Sequence, residues 1–330
     1  MKKIWQYIQY LCAAGTGALV GSLPRSLYGA ISRGIARILM LIPQLGRVSV
    51  QNLRAAFPEK TEKEIRHIAF LSLANLVQVL CEFFWIRRHK KVHLPDIIDA
   101  DPEIDAILRD LHPEAGKGIL FFTPHFGNWE FAGQLLAVGY DFPMSTIVRS
   151  PQNPYIGKML AEGRTVKNVE LIQSKGAARG IVKALKAGRC IGLLIDQNVR
   201  VREGGVFVDF FGLPVPATAM PAGLARKSDL DIFVGGCYHV GNEFRFTGTA
   251  LPKRAAEYES DEALTGAIIY EIEKLVRAHP EQYLWMYKRF QYIPRSADET
   301  LKKKYPPYAT VAKPSFYDQR ERGKHKIKES

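Results

Sequence analysis

GILFFTPHFGNWEFAGQLLAVGY, residues 118–140, sets a short apolar run against an amphipathic one, with an irregular break between them. The first part is rich in β-formers and reads as a strand buried on both faces. Pro124 and Gly127 interrupt the regularity, and NWEFAGQLLAVGY resumes with helical periodicity. The same change of rhythm recurs downstream in MSTIVR, NPYIGKMLAEGR, VELIQ, GAARGIVKALKAG and CIGLLID. Alternating apolar strand and amphipathic helix predicts an α/β domain with a mixed, largely parallel central sheet flanked by helices. VFVDFFG, DIFVGGCYHV and EFRFTGTA add later strands, and DEALTGAIIYEIEKLVRAH a long amphipathic helix.

Upstream, residues 61–85 read as a helix with apolar Ile65, Ile68, Leu76, Leu80 and Phe84. Thr61 followed by Glu64 is a capping-box signature. The basic run RRHKKVH, residues 87–93, closes it, as a solvated turn or an anionic-surface contact.

The N-terminus is different in character. The first 58 residues carry seven basic side chains and no acid. IWQYIQYLCAAGTGALVGSLP, between Lys3 and Arg25, is uncharged and about long enough to cross a bilayer, although Gln6 and Gln9 dilute it. The small residues Ala13, Gly17 and Gly21 suit close helix packing. The next segment sets Leu27, Ile31, Ile35, Ile38 and Ile42 on one helical face and Arg33 and Arg37 on another, the pattern of a helix lying in a membrane interface. A signal peptide and a buried soluble helix are the competing readings. We read the segment as an N-terminal membrane-associated helical one, its partner an anionic membrane surface.

The domain organisation expected is therefore membrane anchor or interfacial helices over 1–45, a helical region over 46–115, the α/β core over 116–300 and a basic flexible tail over 301–330. The chain of 330 residues carries a formal charge of +13, and 47% of its residues are hydrophobic. That composition excludes a wholly disordered, collagen-like or multi-span membrane protein. Cys12, Cys81, Cys190 and Cys237 are scattered without CxxC or Cys/His ligand spacing, so neither a zinc site nor a disulfide framework is indicated. Nucleic-acid binding is not indicated either, because no recognition module accompanies the basic ends.

In such sheets, sites form where strands end and helices begin. TPHFGNWE places His125 and Glu130 at one such junction. Five residues along one continuous helix would set them about 140° apart, so they meet only if His125 is on the loop and Glu130 is in the first helical turn. A carboxylate on one imidazole nitrogen fixes the tautomer and raises basicity at the other. Arg149 follows STIV, with Asn153 just before the next helix, and Asp196-Gln197-Asn198 follows the apolar CIGLLI. Each alone reads equally as a cap or surface pair. Three successive strands ending in His, Arg and Asp point to one convergent polar edge. In HPEQYLWMYKRF, Tyr283, Trp285 and Tyr287 alternate as in a strand, and Lys288-Arg289 fits either a solvated position or a structural role beside the site.

HFGNWE, VRSPQNP, LLIDQN…GVFVDFFG and HPEQYLWMYKRF, in this order, resemble the blocks of the bacterial lipid A biosynthesis acyltransferases, the late lauroyl/myristoyl transferases of the lysophospholipid acyltransferase-like superfamily. The resemblance covers residues 1 to 295. Asp209 departs from it, standing in VFVDFFG where a Pro or another neutral residue is expected. The resemblance implies an enzyme at the cytoplasmic face of the bacterial inner membrane. It would move a fatty acyl chain from acyl carrier protein to a hydroxyl of a Kdo-lipid A precursor, with no metal, no cofactor and no covalent enzyme intermediate. Carried over, His125 is the general base and Glu130 its orienting partner. Arg149 binds phosphate or stabilises the oxyanion, Asp196 supports the site, and Asn128 and Asn153 fall in the same blocks as substrate-binding candidates. A different lipid acceptor, such as a glycolipid mannoside or a lysophospholipid, and a non-catalytic lipid-binding protein are the alternatives.

Overall fold

The computed structural model describes residues 2–89, 91–111 and 118–318. Ten helices and nine strands position the site: α1 Lys2–Gly21, α2 Tyr28–Leu41, α3 Gly46–Ala56, α4 Glu62–Arg88, β1 Ile98–Ala100, α5 Pro102–Asp110, β2 Leu120–Phe122, α6 Trp129–Gly139, β3 Met144–Val148 and α7 Pro154–Arg164, followed by β4 Val169–Gln173, α8 Ala177–Lys186, β5 Cys190–Leu193, β6 Gly205–Phe210, β7 Leu213–Thr218, α9 Met220–Ser228, β8 Ile232–Val240, β9 Glu243–Ala250 and α10 Asp261–Ala278. Seven strands form one sheet in the order β1-β9-β8-β2-β5-β3-β4. The β8/β9 hairpin is antiparallel and every other pairing in the sheet is parallel. The expected mixed, largely parallel sheet is what the chain forms.

Period-2 alternation decides what each face of the sheet buries. On β2, Leu120 and Phe122 enter a core with Val50 and Leu53 of α3, Ile181 of α8 and Ile268 and Ile272 of α10. Phe121 and the preceding Ile119 turn the other way, onto Ile104 of α5 and Phe131, Leu135 and Leu136 of α6. Helices on both faces explain why these strands read as unbroken apolar runs.

The Thr61–Glu64 capping box is present, and the small residues of α1 perform the packing their spacing suggested. A side chain at Gly17 would strike the Phe84 ring at 2.3 Å, and one at Gly21 the Phe84 carbonyl oxygen at 2.7 Å. α1 continues past α4 to α7. Asn153 Nδ2 donates to the Gln6 carbonyl at 2.7 Å and the Gln9 Oε1 at 3.1 Å, and Tyr7 and Tyr10 meet the Tyr155 ring. The two glutamines that dilute the apolar stretch are thus docking groups. On α2, Tyr28, Ser32 and Ala36 are buried, so the stripe of Leu27, Ile35, Ile38 and Ile42 faces outward, with Ile38 64% exposed. Among the described residues, α4 is the helix long and apolar enough to cross a membrane by length and composition, and half of that apolar stretch is buried inside the protein.

Several expectations are corrected. The helical region expected over 46–115 contributes β1, which pairs with β9 at the sheet edge. The tail is ordered well beyond 301: Tyr305 and Phe316 are buried, and residues 310–311 pair in parallel with 292–293. The remainder of the expected tail, 319–330, lies outside the described residues. HPEQYLWMYKRF is a 3-10 turn of helix at Pro280–Gln282 followed by turns, with one isolated bridge, Phe126 to Tyr283, because Tyr283, Trp285 and Phe290 must all reach the same core. β7, LPVPAT, is not among the strands read from the sequence, and it carries Pro214 and Pro216. They are tolerated because it pairs only with β6, in a separate two-stranded ribbon. Asp209, the departure noted above, is exposed, and its carboxylate accepts from the Gly212 N–H at 2.9 Å, closing the β6–β7 hairpin turn.

Candidate active site

β2 and β5 are parallel neighbours with Phe122 opposite Leu193. Three residues beyond each lie His125 and Asp196. The register therefore brings them together: His125 Nδ1 is 2.8 Å from Asp196 Oδ1, and the His125 backbone N–H donates to Oδ2 at 2.9 Å. Asp196 is 2% exposed. With Nδ1–H given to the carboxylate, Nε2 is left as the basic nitrogen. It is 3.5 Å from the Gln197 amide nitrogen, and the ring meets Trp129 edge-on at 5.4 Å.

The loop is held tightly. The Gly127 N–H donates to the Gln282 carbonyl, the Asn128 N–H to the Cys237 carbonyl and the Leu284 N–H to the His125 carbonyl. Gly127 has φ +52°, and a Cβ there would lie 2.0 Å from the Cys237 carbonyl oxygen, so only glycine fits. Asn128 caps α6 by accepting from the Phe131 N–H, and its amide donates to Glu82 at 2.7 Å. Glu82, 1% exposed on α4, also accepts from His239 Nε2 at 2.9 Å and Gln78 at 3.1 Å. Sequence reasoning missed this network, because Glu82 falls inside an apolar helix far from every strand end.

Burial by itself would lower the pKa of His125, but the charge and hydrogen bond of Asp196, with the charge of Glu130, outweigh it and hold the imidazole above its ordinary value. Burial would raise Asp196, yet His125 and the Arg289 guanidinium keep its carboxyl below the usual carboxylate range. Arg289, which the sequence leaves either solvated or in a structural role beside the site, is 1% exposed. It donates to Asn198 Oδ1 and the Pro216 carbonyl, lies over Phe210, and its pKa is depressed by burial. The buried thiols of Cys81 and Cys190 are pushed up to about 11 by burial, which leaves them protonated core groups.

Glu130 does not orient His125. Its carboxylate is clasped by Arg164 of α7, from Nη2 at 2.6 Å and Nε at 2.9 Å. The first turn of α6 points it across the cleft, while β5 supplies the nearer acid. Arg149 reaches the cleft, exposed at its rim. Asn153 and Asn128 do not: the first caps α7 and clamps α1, and the second is a fully buried cap. The cleft of about 510 Å³ is lined by His125, Trp129, Glu130, Arg149, Arg164 and Gln197. An apolar recess shares its walls and runs between α6 and the sheet, lined by Trp129, Gly133, Leu136, Met144, Phe233 and Phe246. Among the described residues no group of three or more His, Cys, Asp or Glu side chains is placed to hold a metal.

A buried His–Asp pair at the carboxyl edge of the sheet, with its free imidazole nitrogen on a cleft that leads to an apolar recess, is equipped for proton abstraction beside an apolar substrate. The chain belongs to the bacterial lipid A biosynthesis acyltransferase family, whose pattern matches residues 2–292. Acyl transfer in lipid A biosynthesis is thus its chemistry at family level, and the enzyme class is that of an O-acyltransferase. It is 26% identical over 285 residues to the lipid A biosynthesis lauroyltransferase of Escherichia coli K12, covering 84% of this chain and 89% of that protein. It is 25% identical over 253 residues to the lipid A biosynthesis palmitoleoyltransferase of the same organism, covering 75% and 79%. Similarity also extends to the phosphatidylinositol mannoside acyltransferase of Mycolicibacterium smegmatis, 28% over 151 residues, 44% of this chain and 47% of that protein.

Proposed function

We propose that this protein transfers a fatty acyl chain from acyl carrier protein to a hydroxyl of a Kdo-lipid A precursor at the cytoplasmic face of the bacterial inner membrane, with His125 as general base and Asp196 as its orienting acid. The observation that carries this reading is the His125–Asp196 pair, whose free nitrogen opens on the cleft. In the proposed step, Nε2 takes the proton of the acceptor hydroxyl as its oxygen attacks the thioester carbonyl carbon. The C–S bond then breaks, and the departing thiolate recovers the proton from the imidazolium. Ester and thiol are the products, electrons balance, and the step uses no cofactor and no covalent enzyme intermediate. Gln197 and the Arg164 guanidinium are the donors that would meet the oxyanion or a neighbouring anionic group, and Arg149 would bind anionic substrate at the rim. The acyl chain would lie along the cleft, with the apolar recess of about 40 Å³ taking its tip.

Membrane attachment is supported by the outward apolar side chains of α1 and α2, among them Ile4, Trp5, Leu19, Ile38 and Leu41. Arg33 and Arg37, on another face of α2, would add attraction to anionic lipid. A second reading, acyl transfer to another membrane glycolipid, is favoured by the similarity to a phosphatidylinositol mannoside acyltransferase.

The test supplies purified protein in detergent with radiolabelled Kdo-lipid A precursor and carrier proteins loaded with different chains. Transfer by wild type and not by His125→Ala is expected. Transfer only to another lipid acceptor would keep the chemistry and replace the substrate, and binding of the lipid without transfer would make this a lipid-binding protein.

A further inference from the structure

Between Glu170 and Asp196 the chain carries Lys175, Arg179, Lys183, Lys186 and Arg189 and no acid. Arg189 is turned inward, donating to the Ser145 hydroxyl and to the Met144 and Asn168 carbonyls, and it pairs with Glu170. The other four are exposed, and none has an ion pair among the described residues. α8 sets them in order. Its Ile181, Ala184 and Leu185 are buried against β3, β4 and β5. Arg179, Val182, Lys183 and Lys186, at the i, i+3, i+4 and i+7 positions, therefore share the outward face. Val182, 37% exposed, is the apolar centre of that face. A helix of this length spans about 15 Å, so three cations crowd one small surface with nothing on the protein to neutralise them. Such a surface attracts and orients an acidic partner.

The face begins at the catalytic cleft. Val148 of β3 lies opposite Gln173 of β4, and the Ser174 N–H donates to the Val148 carbonyl at 2.9 Å. Arg149 and Lys175 thus leave the sheet from neighbouring strand ends. Arg149 and Ser174 both line the cleft, and Gly176, with φ +79°, turns the chain from there into α8. A run of cations leads from the cleft rim along the helix. The bulky outward apolar side chains are elsewhere, on α1 and α2, which pack on α4. α8 exposes no aromatic, Leu or Ile side chain, so it lacks the groups that insert into lipid. Its charges fit the surface of a water-borne acidic protein.

We propose that the outward face of α8 is the docking surface for the acyl carrier protein, a small and strongly acidic protein, with Lys175 and Arg149 continuing the contact to the cleft. The carrier's prosthetic arm then enters the cleft toward His125, while the acceptor arrives from the membrane. The inference deepens the acyltransferase reading and rests on it.

The experiment measures binding of fluorescently labelled acyl carrier protein to the full chain in non-ionic detergent micelles. Wild type is expected to bind it, with affinity falling as salt rises. A triple variant, Arg179→Glu with Lys183→Glu and Lys186→Glu, is expected to bind about tenfold more weakly or worse, with the salt dependence flattened. In the transfer assay its KM for dodecanoyl-loaded carrier should rise in step while kcat holds. With dodecanoyl-4′-phosphopantetheine, a donor without the protein, kcat/KM should stay at the wild-type value. Carrier binding that is absent in wild type, or unchanged by the three reversals, overturns the surface. An equal loss with both donors overturns it too, because docking is then not what the reversals remove. So does a variant that keeps the carrier and instead loses partition into anionic vesicles, which would make α8 a membrane contact. The binding measurement needs no turnover. A wild type that binds carrier through α8 and transfers to no acceptor therefore overturns the catalytic reading alone, and one that transfers from another donor without binding carrier overturns the surface alone.

Discussion

Asp196 grips His125 twice, through the ring at 2.8 Å and through the peptide N–H at 2.9 Å. One carboxylate thus sets both the tautomer of the imidazole and the path of the loop that carries it. Removing it has two separable effects, on catalysis and on proton affinity.

Asp196→Asn keeps the shape but replaces one acceptor oxygen by an N–H group. A fall in kcat of about 10³–10⁴-fold is expected, by analogy with other His–Asp pairs whose acid is neutralised, with KM nearly unchanged. In wild type the raised imidazole pKa shifts the acidic limb of the kcat profile to higher pH than an unperturbed histidine would give, since only the neutral ring accepts a proton. Loss of the Asp196 charge removes the larger of the raising influences, so the residual activity should extend to lower pH. A pH–rate profile of both proteins checks the sign, and an unmoved acidic limb would contradict the assignment.

Glu130→Ala tests the other acid. Arg164, with about a quarter of its side chain exposed, would lose its bidentate partner. The expected loss in kcat/KM is about 10–100-fold, about 1.4–2.7 kcal/mol of lost positioning, and smaller than that of His125→Ala. Rescue by Glu130→Asp but not by Glu130→Gln would identify charge as the requirement.

Glu82→Ala leaves His239 and Asn128 facing an empty buried site. Breaking such a buried, multiply bonded pair costs about 3–5 kcal/mol. Urea unfolding should show that loss in the midpoint with the slope retained. A change below about 1 kcal/mol would mean that the network is not what fastens the loop.

Gly133→Leu tests the apolar recess. A Cβ at this position meets nothing within 4 Å, so the variant is expected to fold. Its side chain would fill space at the mouth of the recess, and the preferred acyl chain should shorten by several carbons. Competition between carrier-linked chains of different length reads this directly.

Ile38→Ser with Leu41→Ser tests the outward face of α2, where the two side chains are 64% and 81% exposed. Each transfer of such a side chain out of water is worth about 1.5–3 kcal/mol, so partition into anionic vesicles should fall by about two to four orders of magnitude. Thermal stability should not move, because neither residue is part of the packed interior.

The layers of the fold were legible because each strand and helix carries its own period. His125 was legible for the same reason, standing at a visible strand-to-helix break. Its partner was not. Glu130 is near in sequence, whereas Asp196 becomes near only because β5, rather than β3, lies beside β2. Strand order is a property of packing and leaves no local trace. Arg289 was ambiguous on the same ground, since a cation after an aromatic run fits a solvated position as well as a structural one until Asn198 and Phe210 are seen to close over it. The ordered part of the tail, too, depends on distant partners: Tyr305 donates to the Pro214 carbonyl.

The docking of α1 onto α7 has a consequence for the order of events during synthesis. Asn153 binds the Gln6 carbonyl across 147 residues of chain. At about 5–20 residues per second, that partner leaves the ribosome roughly 7 to 30 s after α1 does. Through that interval α4 is the surface on which the first helix can settle, through Gly17 and Gly21 against Phe84, while its contact with α7 waits. The N-terminal helices therefore assemble first, and the clamp of Asn153 on the Gln6 carbonyl closes them onto the α/β core only after α7 has been made.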